Sequence, residues 1–335
     1  MPWEDLKPMF RPEPGTVHMG VMKVDPKKCT HCGLCMENCP FRAYELDENK
    51  VPRQKKEYEC FSCYNCMVAC PVDAISVVDP YHVDTGFFAT SPHPLSAKMP
   101  LKPRDAEGEP DKWTEVERII LERRSVRNYK DKPVPEPLIR RVLEAGRFAP
   151  SAGNCQPWKF IVVTNKKLID EMNQGIYGVL AMLYAAYKDD QMVQMLVPMY
   201  EQNPTPGSYD PRVILGGIGS IVRGTLPVFL NAPVVILICG DKRAISGPQL
   251  NIGICGQNMN LAAKSLGLGA CWVGFSAVIN RLPPIMEKLG IKDPWEVTNA
   301  MLLGYPKFKQ EGMVPREFRP IAWFREGSDI PEIEE

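Results

Sequence analysis

Histidine is scarce in this sequence, and all four copies precede residue 100: His18, His31, His82 and His93. The last two-thirds of the chain therefore has no histidine for a Ser-His-Asp or Cys-His arrangement, which excludes hydrolases of those types there. Long apolar runs are also absent, since no stretch reaches the roughly 18 residues that a membrane span needs. Charge of one sign does not dominate either, because 40 Lys and Arg balance 40 Asp and Glu. We expect a cytoplasmic protein with no membrane span and no nucleic-acid partner.

Cysteine, in contrast, is concentrated in one short region, residues 29–70. There the spacing C-x2-C-x2-C-x3-C-P occurs twice, and the second copy begins 31 positions after the first. Thiolates are soft ligands that favour zinc or iron–sulfur clusters, and three cysteines at successive short spacings wrap a cubic cluster. The pattern therefore predicts two [4Fe–4S] clusters rather than a zinc or disulfide knot. In two-cluster proteins the fourth cysteine of each run ligates the other cluster. The predicted ligands are Cys29, Cys32, Cys35 and Cys70 for the first cluster, and Cys60, Cys63, Cys66 and Cys39 for the second.

These two runs resemble the bacterial two-cluster ferredoxins over residues 22–78. The resemblance implies a small ferredoxin-like domain, which we place at residues 23–79 after an N-terminal extension of residues 1–22. Paired clusters transfer single electrons, so the domain is predicted to connect an external donor with an internal acceptor. His31 lies inside the first run, and we expect it to be an exposed side chain because all the cysteine ligands are present.

The remainder of the chain is predicted to be a linker followed by a larger domain. Residues 80–112 are rich in proline and read as an extended linker. Thr114 and Glu117 then match a capping box that begins a helix. From there on, apolar periodicity predicts helices at 138–148 and 252–266 and strands at 160–164, 234–239 and 299–306. We expect an α+β domain over residues 113–325 with an acidic tail at 326–335.

A segment rich in methionine and tyrosine, at about residues 168–230, is predicted to cover the substrate pocket of this domain. A pair of core helices joined by a loop is the alternative interpretation. Four cysteines remain outside the clusters. Cys155, Cys239, Cys255 and Cys271 are expected to be buried as small apolar residues.

Three segments of the larger domain carry groups suited to a planar, phosphorylated ligand. The segment ERRSVRNYKDKPV (122–134) brings arginines and a serine to a helix end, where guanidinium groups can bind phosphate, although an exposed basic helix end is the common alternative. The segment APSAGNCQPWKFIVV (149–163) is a polar turn that leads into an apolar strand. The segment GLGACWVGF (267–275) has glycines that let a backbone amide approach a planar ring.

In this order, the three segments and LLGYP resemble the nitroreductase family of FMN enzymes over residues 114–324. The resemblance implies an α+β fold that forms a homodimer, with FMN held at the subunit interface by both chains. Val273 stands where many relatives carry glutamate, which puts the usual handling of nicotinamide in doubt. Carried over by position, the implied FMN-binding residues are Arg123, Arg124, Ser125, Arg127, Pro150, Ser151, Ala152, Asn154, Gln156, Val273 and Gly274, with Arg316 or Arg319.

We therefore predict an iron–sulfur flavoprotein oxidoreductase that receives electrons from a low-potential donor, ferredoxin, through two clusters. FMN would then reduce an unsaturated small molecule such as a nitroaromatic, a quinone or an enone. The alternatives are the reverse reaction, an NAD(P)H-linked hub that passes electrons out to a protein partner, and a non-catalytic redox sensor. No catalytic side chain follows from the sequence, and the candidate proton donors are Tyr200, Tyr209, a water molecule or groups of the flavin itself. Oxygen damages exposed clusters, so an anaerobic cell is expected.

Overall fold

The computed structural model describes residues 3–90, 102–202, 209–308, 312–317 and 319–334. Within these ranges, no helix combines the length and the apolar character needed to cross a membrane. The α-helices are α1 (Trp3–Phe10), α2 (Leu34–Glu37), α3 (Asn65–Ala69), α4 (Glu115–Glu122), α5 (Glu136–Arg147), α6 (Lys166–Lys188), α7 (Asp190–Gln202), α8 (Gly219–Val222), α9 (Gly247–Ser265) and α10 (Pro283–Lys288). The strands are β1 (Val17–His18), β2 (Val21–Val24), β3 (Tyr44–Leu46), β4 (Pro52–Gln54), β5 (Ile75–Asp79), β6 (His82–Val83), β7 (Trp158–Val163), β8 (Val234–Asp241), β9 (Gly269–Val273), β10 (Trp295–Gly304), β11 (Ile321–Trp323) and β12 (Glu332–Glu334).

The larger domain is built on a four-stranded antiparallel sheet in the order β7-β8-β10-β9. The central strand β8 is apolar and buried along nearly its whole length because its side chains alternate between two cores. Val235 and Leu237 face a core that includes α6, whereas Ile236 faces a second core built with α5 and α9. A strand covered on both faces reads as a continuous apolar run, and this explains why the run at 234–239 predicted it.

The ferredoxin-like domain repeats its conformation along with its sequence. Residues with left-handed backbone occur at the same positions in both copies: His31 and Ser62, Gly33 and Tyr64, Arg42 and Asp73. Each copy then forms a short helix, α2 or α3, and reaches a strand, β3 or β5. The repeated turns bend each cysteine run back on itself, so the sulfurs converge.

Helix α4 begins as the sequence predicts. The Thr114 hydroxyl accepts a hydrogen bond from the Glu117 amide, and the Glu117 carboxylate accepts one from the Thr114 amide at 2.7 Å. The predicted linker and tail are more structured than expected. Strand β6 pairs with β1, and β12 pairs with β11. Residues 91–101 of the linker lie outside the described residues.

The two domains are in direct contact. The Phe61 ring lies against Gly216 in a π-helical segment, Arg212–Ile218, where an added methyl group would lie 2.7 Å from the ring. Arg223 forms an ion pair with Glu59, and the Asn128 side chain donates a hydrogen bond to the Glu37 carbonyl at 3.3 Å. The ferredoxin-like domain, which we also call the cysteine-rich domain, is therefore packed on the larger domain.

Candidate functional site

The structure groups the eight clustered cysteines as two crossed sets. Cys29, Cys32, Cys35 and Cys70 line one small cavity. Burial is the main cause that raises the pKa of Cys35 to about 11, and the nearby Cys32, Cys70 and Cys29 sulfurs contribute in the same direction. Burial also raises the pKa of Cys60 to about 12, with Cys63 and Cys39 contributing in the same direction. Each run therefore sends its fourth cysteine to the other set.

Hydrogen-bond donors surround these sulfurs, as thiolate ligands require. The Ala43 amide donates to Cys39 Sγ at 3.3 Å, and the Ala74 amide donates to Cys70 Sγ at 3.2 Å. The Tyr44 hydroxyl donates to Cys66 Sγ at 3.3 Å in a buried position. Hydrogen bonds to the sulfurs are one of the ways in which a protein sets cluster potential. The residues present thus fit two iron–sulfur clusters in ligand type and surroundings.

His31 is outside both sets, as the sequence predicts. Its side chain is exposed, and its Nδ1 lies 2.9 Å from the Lys50 carbonyl. All twelve cysteines belong to the described residues, and none of them forms a disulfide bond.

A group of arginines follows helix α4. Burial is the main cause that lowers the pKa of Arg124 to about 10, and the nearby Arg123 guanidinium contributes in the same direction. Burial likewise lowers the pKa of Arg123, with a contribution from Arg316. Arg124 donates one hydrogen bond to the Gly312 carbonyl, but its other terminal nitrogen, Nη1, is buried and has no partner among the described residues. This excess of buried positive charge suits an anion such as a phosphate.

The two predicted C-terminal arginines differ in their surroundings. Arg316 lies close enough to Arg123 and Arg124 to lower the pKa of both. Arg319 is exposed and pairs with Glu317 at 2.5 Å. The structure thus places Arg316 with the basic group and turns Arg319 towards a carboxylate.

Ser125 and Arg127 continue from the arginines along the edge of the sheet. The backbone at Ser125 forms a parallel bridge to Ala270 in β9. Burial raises the pKa of Cys271, whereas the positive charge of Arg127 and a hydrogen bond from the Ser125 side chain lower it. This arrangement carries the chain from the basic group to the end of β9, where Val273 and Gly274 lie.

A cavity of about 210 Å³ lies where the two domains meet. Arg127, Val273 and Gly274 line it from the larger domain, and Pro40, Phe41 and Cys63 line it from the cysteine-rich domain. Cys63 belongs to the second cysteine set. One wall of this cavity is therefore a predicted cluster ligand, and the opposite wall consists of residues predicted to contact FMN.

The methionine- and tyrosine-rich segment divides into two parts. Helix α6 has a core face that includes Met172, Ile176 and Leu180, which agrees with the interpretation of core helices. The later part lines the interdomain cavity instead, through Arg212, Gly217, Ile221, Leu226, Pro227, Val228 and Leu230.

The polar turn at residues 150–156 lies away from this cavity. Its described side chains are exposed or half-buried, and none of them lines the cavity. The Ser151 hydroxyl accepts a hydrogen bond from the Gln156 amide at 3.0 Å, and Asn154 has left-handed backbone. Pro150, Ala152 and Gln156 are exposed in the same turn. A single chain therefore does not assemble all of the predicted FMN residues.

The cysteines outside the clusters and the two candidate tyrosines can be compared with their predictions. Cys239, Cys255 and Cys271 are buried as predicted, but the prediction for Cys155 is wrong, because the polar turn carries it to the surface. Tyr209 packs edge-on against Phe10 with ring centroids 4.3 Å apart, next to helix α1. The side chain of Tyr200 lies outside the described residues.

The residues that join the two domains were not predicted from the sequence. Phe61 follows the first cysteine of the second run, and Arg212 packs over the ring of Tyr81. Aromatic residues directly beside cysteine ligands were the available signal, since such rings suit a protein contact rather than solvent. The partner surface around Gly216 had no comparable signal.

Comparisons with known proteins agree with this division of the chain. The model of the Nitroreductase family matches residues 120–305, and a 4Fe-4S dicluster domain matches residues 21–71. A putative NADH dehydrogenase/NAD(P)H nitroreductase from Archaeoglobus fulgidus is 28% identical over 198 residues, which cover 58% of this chain and 87% of the relative.

A ferredoxin from Pyrobaculum islandicum is 43% identical over 53 residues, which cover 16% of this chain and about half, 49%, of the relative. Among solved structures, a nitroreductase with bound FMN from Desulfitobacterium hafniense DCB-2 is 25% identical with a TM-score of 0.46. That match covers 61% of this chain and 96% of the other.

Proposed function

The chain belongs to the nitroreductase family, and on that premise we propose that it is an iron–sulfur flavoprotein oxidoreductase. Electrons from an external low-potential donor, ferredoxin, pass through two [4Fe–4S] clusters to FMN, which reduces an unsaturated small molecule. A nitroaromatic, a quinone or an enone has the flat, electron-accepting shape that this reaction needs. The clusters are sensitive to oxygen, so we place the reaction in the cytoplasm of an anaerobe.

The observation that carries this proposal is the cavity shared by the two domains. Cys63 lines it together with Arg127, Val273 and Gly274. Electron transfer requires a short separation between donor and acceptor, and this wall brings a predicted cluster ligand to the predicted flavin site. The second set of cysteines would therefore hold the cluster nearer to the flavin. The first set, which includes the exposed Cys32, would hold the cluster nearer to the external donor.

The residues near α4 fit the phosphate of FMN. Arg123, Arg124 and Arg316 form a partly buried basic group, and Arg124 has a buried nitrogen that needs an acceptor. A phosphate would supply that acceptor and balance the charge. Ser125 and Arg127 then extend towards the ring-binding end of the cavity, where the backbone at Val273 and Gly274 would face the reactive edge.

When bound, FMN supplies the conversion between one-electron and two-electron chemistry. The chain supplies position and a partly enclosed site. The apolar walls of the cavity are formed by Phe41, Leu226, Pro227, Val228, Leu230 and Phe275. No histidine or tyrosine lines the described cavity, so we propose that water delivers the proton to the acceptor. Tyr209 packs on Phe10 and suits this role poorly.

We further propose a homodimer in which a second copy supplies the polar turn at residues 150–156 to the FMN site. The turn is exposed and separate from the basic group in one chain. The hairpin of β11 and β12 exposes Ile321, Trp323, Phe324 and Ile333. An apolar surface of this kind suits a subunit interface.

A second candidate is an NAD(P)H-linked hub that passes electrons outward through the clusters to a protein partner. The Archaeoglobus relative is named as a putative NADH dehydrogenase/NAD(P)H nitroreductase, and this name favours a nicotinamide donor. The same cavity serves this direction equally well, so the test must separate the two.

A Cys63→Ala variant tests the proposal, since it removes the cysteine that joins the two sites. We expect loss of acceptor reduction driven by reduced ferredoxin, with FMN still bound and reduction by dithionite retained. Cys239→Ala is the matched control, because Cys239 is a core cysteine of β8 that belongs to neither set and to none of the predicted FMN-binding residues. Unchanged turnover with reduced ferredoxin in Cys63→Ala would contradict the proposed path. Efficient turnover with NADH in that variant would favour the hub.

A further inference from the structure

A pair of histidines and an aspartate lie together outside the sites described so far. His18 on β1 is directly opposite His82 on β6, and their rings stack with centroids 4.4 Å apart and planes 8° apart. Asp84 follows His82 by two residues and therefore lies on the same side of the extended chain. Residues 64 positions apart in the sequence thus meet as one cluster.

The nitrogen and oxygen atoms of this cluster converge. His18 Nε2 lies 2.6 Å from Asp84 Oδ2, and His82 Nε2 lies 3.5 Å from Asp84 Oδ1. One ligand atom from each of the three side chains can be chosen so that all lie within 4.8 Å of one another. Around a tetrahedral zinc ion with bonds of roughly 2.0–2.1 Å, neighbouring ligand atoms lie about 3.3 Å apart. The spacing of the atoms is close to that geometry, and the two stacked rings must rotate apart for both Nε2 lone pairs to face one ion.

The ring of His82 is oriented by groups behind it. Its Nδ1 lies 3.0 Å from the Pro80 carbonyl and 3.8 Å from an Asp79 carboxylate oxygen. An Nδ1–H group that donates to Pro80 leaves the lone pair on Nε2, the atom that faces Asp84. Histidines that bind metals typically hold their second nitrogen in this way, with a carbonyl or carboxylate partner.

A simple ion pair explains only part of this arrangement. Asp84 already has a short contact with His18, so a pair needs no second imidazole. His82 adds an oriented nitrogen that also faces the carboxylate, and it is the more buried of the two rings. A cation between the three side chains accounts for both histidines.

We propose that His18, His82 and Asp84 bind one Zn²⁺ ion. Neutral imidazole and carboxylate are good zinc ligands, and three protein ligands leave the fourth position to water. His18 binds through Nε2 with its ring proton on Nδ1, and an imidazolium at this position releases its second proton to solvent. The site differs from both cysteine sets in position and in ligand type.

The position of the cluster gives the ion a structural consequence. The Gly20 amide, two residues after His18, donates to the Cys60 carbonyl at 2.8 Å. The Tyr81 amide, next to His82, donates to the Ser62 hydroxyl at 2.7 Å. The segments adjoining both histidine-bearing strands are therefore hydrogen-bonded to the second cysteine run. Zinc would fasten these strands together and hold the loop of Cys60–Cys63 in place.

The test uses the cluster-loaded protein, dialysed against a chelator and then given one equivalent of zinc sulfate. Equilibrium dialysis measures the affinity, and zinc K-edge absorption identifies the ligand atoms. We expect one zinc per chain with only nitrogen and oxygen ligands at about 2.0–2.1 Å, and no sulfur at about 2.3 Å. His18→Ala or His82→Ala should weaken binding by more than about 100-fold, since even loss of an outer partner costs roughly 10- to 100-fold.

His31→Asn is the matched control, because His31 is exposed and asparagine tolerates its left-handed backbone. Its zinc affinity should equal that of the unaltered protein. Hydrogen exchange should also slow at residues 60–63 when zinc is added. The proposal is overturned if the unaltered protein retains no zinc, if sulfur appears among the ligands, or if a His18→Ala, His82→Ala double variant binds zinc as tightly. None of these readouts depends on flavin or turnover, so the result is independent of the proposed function.

Discussion

At the scale of single residues, the basic group after α4 shows how spatial position distinguishes arginines that look alike in sequence. Arg316 and Arg319 are equivalent candidates in the sequence, since both follow the last long strand at similar distances. In the structure, Arg316 acts on Arg123 and Arg124, whereas Arg319 pairs with Glu317. The choice depends on the path of the chain after Tyr305, which no local pattern specifies.

This difference predicts the effect of two substitutions. Arg316→Ala should weaken FMN binding by roughly 10- to 100-fold, because a charge-assisted hydrogen bond contributes about 1.5–3 kcal/mol. Arg319→Ala should leave the affinity nearly unchanged. Titration of the flavin-free protein with FMN, followed by quenching of flavin fluorescence, measures both. Equal losses in the two variants would remove Arg316 from the phosphate site.

The cysteine residues were the most predictable part of the molecule. Ligand spacing is a local property, and the crossed grouping of Cys39 and Cys70 follows from the repeat alone. Exposure of Cys155 was not predictable in this way. The turn that carries it contains Gly153 and Asn154 with left-handed backbone, and these bend the chain out of the core.

At the scale of elements, the π-helical segment Arg212–Ile218 is the platform on which the cysteine-rich domain packs. Gly216 is the contact point, because a β-carbon there would lie 2.7 Å from the Phe61 ring. Strands and helices with strong apolar periodicity, such as β8 and α9, were predicted from the sequence. This platform was not, since a glycine pair and a few apolar residues carry no signal for a ring contributed 155 residues earlier in the chain.

Substitution of two glycines separates the effect of the Phe61 contact on stability from the effect of helix propensity. Gly216→Ala should destabilise the protein by about 1–3 kcal/mol, because the methyl group forces Phe61 to move. Gly178→Ala, in α6, has open space around the new methyl group and should be neutral or stabilising by up to about 1 kcal/mol. Urea unfolding measures both, and hydrogen exchange at residues 60–64 should rise only in Gly216→Ala. Equal behaviour of the two variants would show that Phe61 does not depend on this contact.

At the scale of the whole molecule, two functional units meet across a surface that the sequence does not reveal. Each domain could be predicted from its own motifs, but the contact of Cys63 with the cavity of Val273 depends on how two folded surfaces fit together. The expected acidic tail is another example. Residues 332–334 pair with 321–323, and the resulting hairpin exposes apolar side chains.

The hairpin leads to a prediction about assembly. A double variant, Trp323→Lys with Phe324→Lys, should shift the protein from dimer to monomer, because it places two charges on the exposed apolar surface. FMN affinity should fall in parallel if a second copy supplies residues 150–156. Met195→Lys changes an exposed apolar residue on α7, away from the hairpin, and serves as the control. Sedimentation velocity gives the assembly state, and a double variant that remains dimeric with normal FMN affinity would contradict this interface.

The central claim is that electrons enter the flavin site through the clusters. An anaerobic titration of the purified protein, followed by its absorption spectrum, tests it most directly. NADH, NADPH and chemically reduced ferredoxin are added to separate samples, and bleaching of the flavin band is recorded with that of the clusters. The account predicts that reduced ferredoxin bleaches the clusters and the flavin, whereas the nicotinamides leave the flavin oxidised. Bleaching of the flavin by NADH before the clusters would contradict it and would assign the outward direction to the electrons.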